Sequence, residues 1–178
     1  MISIRRIHLH EGLLYKRIRL ASLSDSPEAF ATTFATATRR SMESWNEQAD
    51  STAVGADRIT ILAFYDDEPI GVGALYRDDQ NKDFGELIQF WVDPEHREGL
   101  VAGKLLKWIL SWAMEHEFAH LFAWVNTENE RAIRFYLKHG FALTDETQPF
   151  RPGFNLVSCL IVKPLTEAPD PVIGRDRQ

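Results

Sequence analysis

The 178-residue chain reads as a mixed α/β domain, with a largely antiparallel central sheet of six to seven strands flanked by about four helices. Three observations predict this class. Arg58–Tyr65 and Ile70–Tyr76 are apolar runs joined by the turn Asp66-Asp67-Glu68-Pro69, which makes an antiparallel hairpin. Gly99–Glu117 carries Leu105, Leu106, Ile109, Trp112 and Ala113 on one helical stripe. Phe84–Val92 is a strand that feeds this helix through a short turn and a run of small residues.

The other elements follow in order. Ile2–Ile7 alternates apolar and polar residues, as a half-buried strand does. Glu11–Leu23 places Leu13, Leu14, Ile18, Leu20 and Leu23 near helical spacing. Ser26 can cap a helix and Pro27 suits its first turn, so a second helix is predicted over Ala29–Thr38, carrying Phe30 and Phe34. Ser41–Asp50 is a further short helix around Trp45, whose ring is expected at the rim of a substrate entrance, and Ala49–Asp57 is a small-residue loop. Arg77–Asp83 is a polar loop. His120–Val125 is a strand, and Asn129–His139 is a helix stopped by Gly140. Phe141–Leu143 starts another strand, and Leu156–Lys163 closes the sheet. A single domain over residues 1–166 is expected, followed by a flexible tail, Glu167–Gln178, rich in Pro, Asp and Arg.

Composition narrows the function classes. A net charge of −6 and a pI of about 5.5 argue against a nucleic-acid footprint and mildly favour cationic acceptors such as amines. Cys159 is the one cysteine and lies in an apolar run, so it is a buried small hydrophobe rather than a disulfide partner, zinc ligand or nucleophile. His8, His10, His96, His116, His120 and His139 show no metal-ligand spacing and read as surface histidines. No apolar stretch approaches the roughly 18 residues that span a membrane, and the N-terminus lacks a continuous apolar segment. A cytoplasmic protein without membrane or nucleic-acid partners is the expectation.

Two motifs carry the chemistry. In the first, Trp91-Val92-Asp93-Pro94 leads through His96 into Arg97-Glu98-Gly99-Leu100-Val101-Ala102-Gly103-Lys104. Backbone N–H groups exposed at a helix start, at the positive end of its dipole, bind phosphate-bearing ligands. In the second, Asn129-x-x-Ala132-x-x-x-Tyr136-x-x-x-Gly140-Phe141, Ala132 and Tyr136 are four apart and share a helix face. Asn129 is a natural helix cap.

These motifs, in this order of strands and helices, resemble the GNAT family (GCN5-related N-acetyltransferases) over nearly the whole chain up to Leu165. The resemblance implies the GNAT fold and acetyl-CoA as cosubstrate. Main-chain amides over Arg97, Glu98, Gly99, Leu100, Val101 and Ala102, continuing to Gly103 and Lys104, would grip the CoA pyrophosphate. The pantetheine arm would pair with the strand end Phe90, Trp91 and Val92, where that strand diverges from the next. Asn129 would touch the cofactor. Tyr136 would protonate the departing thiolate, and a main-chain N–H near Trp91 or Val92 would polarise the acetyl carbonyl. Leu100 departs from the family pattern, which has glycine there; its side chain is expected to turn into the core.

Glu86 corresponds to a position where some family members carry a catalytic glutamate. Apolar neighbours would raise its pKa, as suits a base. Strict alternation puts Glu86, Ile88, Phe90 and Val92 on one face, and a bulge would shift that parity. Gln89 or an ordered water are the other routes to a base. The leading expectation is an N-acetyltransferase acting on a primary amine of a small molecule or peptide. A GNAT-like module that holds acyl-CoA without turnover is the second reading. A dinucleotide-binding fold is disfavoured by the antiparallel hairpin and by the lack of an acidic ribose partner. Dimerisation is common in the family.

Overall fold

The computed structural model describes residues 1–165, so the end of the expected domain at residue 166 and the tail Glu167–Gln178 lie outside the described residues. The strands are β1 (Ile2–Arg6), β2 (Arg58–Tyr65), β3 (Glu68–Arg77), β4 (Phe84–Val92), β5 (His120–Asn126), β6 (Ala142–Pro149) and β7 (Val157–Pro164). The α-helices are α1 (Gly12–Asp25), α2 (Phe34–Thr38), α3 (Met42–Ala53), α4 (Val101–Glu115) and α5 (Glu130–Lys138). The strands form one sheet in the order β1-β2-β3-β4-β5-β7-β6, and β4–β5 is its one parallel pair.

Both faces of the sheet are covered, which is why β2 is buried continuously from Ile59 to Phe64 rather than at alternate residues. Ile59, Ile61 and Ala63 face one core with Leu105, Leu106 and Ile109 of α4 and Tyr136 of α5. Leu62 and Phe64 face the other, with Tyr15 and Ile18 of α1 and Trp45 of α3. Leu105, Leu106 and Ile109 are fully buried, each worth about 1.5–3 kcal/mol in removed apolar surface.

Two irregularities of β4 shape everything that follows. Its pairing with β5 stops after Phe84–Glu86 against His120–Phe122, so the two strands part beyond Glu86. Its register against β3 also slips: Ala74 opposes Ile88 while Val72 opposes Trp91, leaving Gln89 and Phe90 both opposite Gly73. Gln89 takes the left-handed conformation, φ 58°, that this bulge needs. Gly73 admits the bulge, because a Cβ there would meet the Phe90 ring at 3.0 Å and Ile109 at 2.9 Å.

Several expectations change. The bulge breaks strict alternation: Phe90 and Val92 pack towards α4, whereas Trp91 packs with α1 and Gln89 bonds Tyr15. Glu86 therefore does not share a face with Phe90 and Val92. The segment predicted as one helix over Ala29–Thr38 is a 3-10 turn at Pro27–Ala29, an extended stretch at Phe30, and then α2, capped by Thr33 rather than Ser26. In α1 the buried side is Tyr15, Ile18, Arg19, Ser22 and Leu23, while Leu13 is exposed. Trp45 is fully buried against Tyr15, not at a rim. α3 runs on to Ala53, through half of the expected loop. β7 lies between β5 and β6, so β6 rather than the last strand forms that edge.

Candidate active site

The parting of β4 and β5 opens a cavity of about 320 Å³ through the sheet. Residues reach it from both sides. From the α1 side come Arg19, Phe30, Glu86 and Gln89; from the α5 side come Asn129, Ala132 and Tyr136. Phe90 lines the passage between them and lies tilted against Tyr136, with ring centroids 6.1 Å apart.

Tyr136 sits on α5, whose first turn is capped as its sequence suggests: the Asn129 side chain accepts from Ala132 N–H at 3.2 Å. Tyr136 is 6% exposed, and burial pushes its phenol pKa well up, so the hydroxyl holds its proton throughout the neutral range. Ala132, one turn earlier, has no bulk to close the cavity above it. Glu86 is half-buried. Burial, and then the charge of Asp78, raises its pKa above the ordinary 4.5. Gln89 accepts from the Tyr15 hydroxyl at 2.8 Å, an arrangement that holds the bulge; burial pushes Tyr15 up to about 12.

The edge of β4 is free where it faces the cavity. Asp93 N–H donates to Ile70 O at 2.8 Å, towards β3. By the two-residue alternation of a strand, the N–H and C=O of Val92 point the other way, into the slot. The Val92 carbonyl is already used, accepting from Arg97 Nε at 2.8 Å, and its N–H remains. Arg97 also donates to Asp25 and, at 3.3 Å, to Ser26 Oγ. The guanidinium is thus a strut between strand, turn and α1.

Beyond that strut, the start of α4 offers a row of unpaired amides. The helix has no side-chain cap, and the first of its backbone groups to donate is Lys104 N–H, to Leu100 O at 3.0 Å. The preceding amides, Leu100 to Gly103, are the ones a helix leaves without internal partners. Leu100 has an ordinary φ of −83° and is 74% exposed, so its side chain lies in solvent, not in the core as expected, and does not fill the groove. Glu98 is exposed in the turn before the helix, and the Gly99 amide is used by His96 O at 3.4 Å. Lys104 stands apart, because its amide is satisfied and its side chain lines a groove against β1 with Ile2 and Ile4.

Two charged residues at this end escaped the sequence reading. Asp25, at the end of α1, accepts from Trp91 Nε1 at 2.9 Å, from Ser26 Oγ at 2.6 Å and from Arg97. Arg131, in the first turn of α5, has its pKa lowered by burial and then by the neighbouring Arg97 charge. No local pattern marks either, since Trp91 and Arg97 lie far from both in sequence.

Unpaired amides at a helix start, a free strand edge and a passage between parted strands thus lie together at one end of the sheet. The Acetyltransferase (GNAT) family matches residues 21–141. The chain belongs to the GNAT acetyltransferase family. GNAT structures share its fold. A GNAT acetyltransferase from Streptococcus pneumoniae superposes with a TM-score of 0.77 at 18% identity, over 92% of this chain and 99% of that one. YncA from Salmonella typhimurium, a putative acetyltransferase solved with its cofactor acetyl-CoA, gives 0.78 at 16% identity over 98% and 99%. PaiA N-acetyltransferase from Thermoplasma acidophilum, solved with coenzyme A, gives 0.64 at 20% identity over 92% and 99%. No curated sequence matches the chain.

The histidines contribute packing. His116 stacks on Trp112 at 4.2 Å and His120 on Phe84 at 4.6 Å, so neither is the free surface residue expected. No group of three or more His, Cys, Asp or Glu that could hold a metal is present among the described residues. No helix among them is long and apolar enough to cross a membrane.

Proposed function

We propose that this GNAT acetyltransferase moves the acetyl group of acetyl-CoA directly to a primary amine of a small molecule or peptide. The observation that carries the reading is the cavity through the parted strands, with Tyr136 on one side and Glu86 on the other. Donor and acceptor can then meet from opposite faces of the sheet.

The residues divide the work as follows. The amides from Leu100 to Gly103 hold the pyrophosphate, aided by the α4 dipole and by the Arg97–Arg131 charges nearby. The Val92 N–H polarises the acetyl carbonyl as negative charge develops on its oxygen. Glu86, whose pKa burial and then the Asp78 charge raise, takes the ammonium proton directly or through a water held near Gln89. The neutral amine attacks the carbonyl carbon to form the C–N bond, the C–S bond breaks as the Tyr136 hydroxyl gives its proton to the leaving sulfur, and the proton that the nitrogen sheds as it becomes an amide returns through water to the tyrosinate. A covalent acyl-enzyme has little support: Cys159 is buried, its thiol donates to Val125 O at 3.5 Å, and burial raises its pKa.

The holding-module reading rested on Leu100, and an exposed Leu100 side chain weighs against it. A thermal-shift series with acetyl-CoA, CoA and NAD, followed by thiol release with a panel of amines, tests the proposal. Stabilisation by the CoA species alone plus amine-dependent thiol release is the expected result. Stabilisation without release on any amine points to the holding module.

A further inference from the structure

Arg19 is 5% exposed, on the α1 side of the cavity wall. Its Nη1 donates to Ser22 Oγ at 3.0 Å, and the guanidinium lies over the Phe30 ring, 5.0 Å from its centroid. No carboxylate is within ion-pair distance among the described residues. Its nearest influences are Tyr15, Tyr76 and a second cation, Arg40. Arg40 is spoken for, bonded to Ser44 Oγ and Ser44 O at 3.0 Å each and stacked on Trp45. Arginine stays charged even when buried. A buried charge without a counter-ion is costly, and one face of an aromatic ring and one hydroxyl offset only part of that cost.

The polar atoms that remain on Arg19, Nε and Nη2, belong to a side chain that lines the cavity. The roof over it is bolted down rather than loose: Arg151 donates to Phe30 O at 3.4 Å and Pro27 O at 3.3 Å, and Asn126 donates to Glu28 O at 3.0 Å. The guanidinium fork is therefore preorganised, and a fork of that geometry matches a carboxylate.

We infer that Arg19 is the anchor for a carboxylate on the acceptor, so that the enzyme acetylates a small amine that is also an acid, of the size of a free amino acid. The inference rests on the transferase reading and adds the substrate class. Glu86 and Asp78 provide the acidic end of the site, where an ammonium is drawn in, and Arg19 provides the basic end. A cavity of about 320 Å³, partly taken by the acetyl group, suits an amino acid better than a protein surface.

The test uses the whole chain with acetyl-CoA and matched sets of L-amino acids, their carboxamides, their decarboxylated amines and their aminophosphonate analogues. Thiol release should show a KM for the best amino acid about tenfold or more below that of its carboxamide. Arg19→Gln should raise that KM by about 10–100-fold, with a much smaller change for the carboxamide, and Arg19→Lys should restore part of the loss. The shift of melting temperature with acetyl-CoA reports whether each variant is folded, and the wild-type comparison needs no variant at all. Equal use of acid and carboxamide, an equal loss on both in Arg19→Gln, or preference for the phosphonate overturns the assignment. A second thermal-shift arm, with CoA bound, reads the amino acid without turnover. A shift by amino acid but not carboxamide, lost in Arg19→Gln, upholds the anchor even if no thiol is released, and that result would sink the transferase reading alone. Absence of both shift and preference overturns the anchor.

Discussion

Asp25 and Arg97 are 72 residues apart in sequence and form an ion pair where the end of α1 meets the turn between β4 and α4. The pair is mostly shielded, with side chains 25% and 19% exposed. The same carboxylate holds the Trp91 indole and Ser26, and the same guanidinium holds Val92 O. One contact thus links α1, the edge of β4 and the turn before α4. Removing the Asp25 carboxylate leaves the Trp91 indole N–H without an acceptor and Arg97 without its counter-ion.

Asp25→Asn should cost about 1–3 kcal/mol of stability at pH 7, read by urea unfolding. Burial alone would raise the Asp25 carboxyl; bonds from Ser26, Trp91 and Arg97, together with the Arg97 charge, outweigh it and bring the pKa below 3.8. A depressed folded pKa contributes stability above the unfolded value of about 3.9 and loses it as pH falls through the folded value. The gap between wild type and variant should therefore shrink when both are unfolded below about pH 4. A gap that stays constant with pH shows that the carboxylate's charge is not what matters.

Glu86→Gln should trade activity for stability. The raised pKa of Glu86 means that the folded state disfavours its charged form. That penalty is absent below the unfolded pKa and fully present above the folded one. The variant, never charged, should melt higher than wild type at pH 7. It should also lose the acid limb of the kcat/KM profile and slow turnover by about 10²–10⁴-fold. Full activity with an unchanged acid limb would move the base role to water held near Gln89.

Where pattern is local, the sequence reveals the structure well. The α4 stripe needs only a 3.6-residue period, and the Asn129 cap, Ala132 gap and Tyr136 face are set within two turns of one helix. The bulge at Gln89 is different. A left-handed glutamine has no signature of its own, and it exists because Gly73 on the neighbouring strand makes room for Phe90 and Tyr15 grips the Gln89 side chain. Arg19 is hidden for the opposite reason. An arginine in a helix looks like a solvated face, and the burial comes from Phe30 and the roof segment folding over it. The lost helix turn at Phe30 has the same origin, because Arg151, far along the chain, fixes the Phe30 carbonyl.

Leu100→Gly tests whether the family's missing glycine matters. Leu100 is exposed, has negative φ, and would contribute only its amide to a pyrophosphate. Glycine there would loosen the start of α4 by about 0.5–1 kcal/mol without supplying any new donor. The dissociation constant for CoA, by calorimetry, should change less than about threefold, with a slightly lower melting temperature. A tenfold gain in affinity would show instead that the leucine side chain obstructs the groove.

Tyr136→Phe isolates the proton from the packing. The ring is buried among Phe90, Phe135 and Phe141, with centroids 6.1, 5.4 and 5.2 Å away, and phenylalanine keeps those contacts. Stability and acetyl-CoA affinity should stay close to wild type, since the proposed grip on the cofactor is by backbone at α4 and β4. What changes is the departure of sulfur, which loses its acid, so kcat should fall about 10²–10⁴-fold. Wild type should hold its rate well into the alkaline range, because burial delays ionisation of the phenol far past its ordinary pKa of 10. Glu86 is intact in this variant, so the rise on the acid side that it sets should persist at a lower plateau. A variant with wild-type kcat and weakened acetyl-CoA binding would make Tyr136 a wall of the groove, and leave the thiolate to depart unassisted.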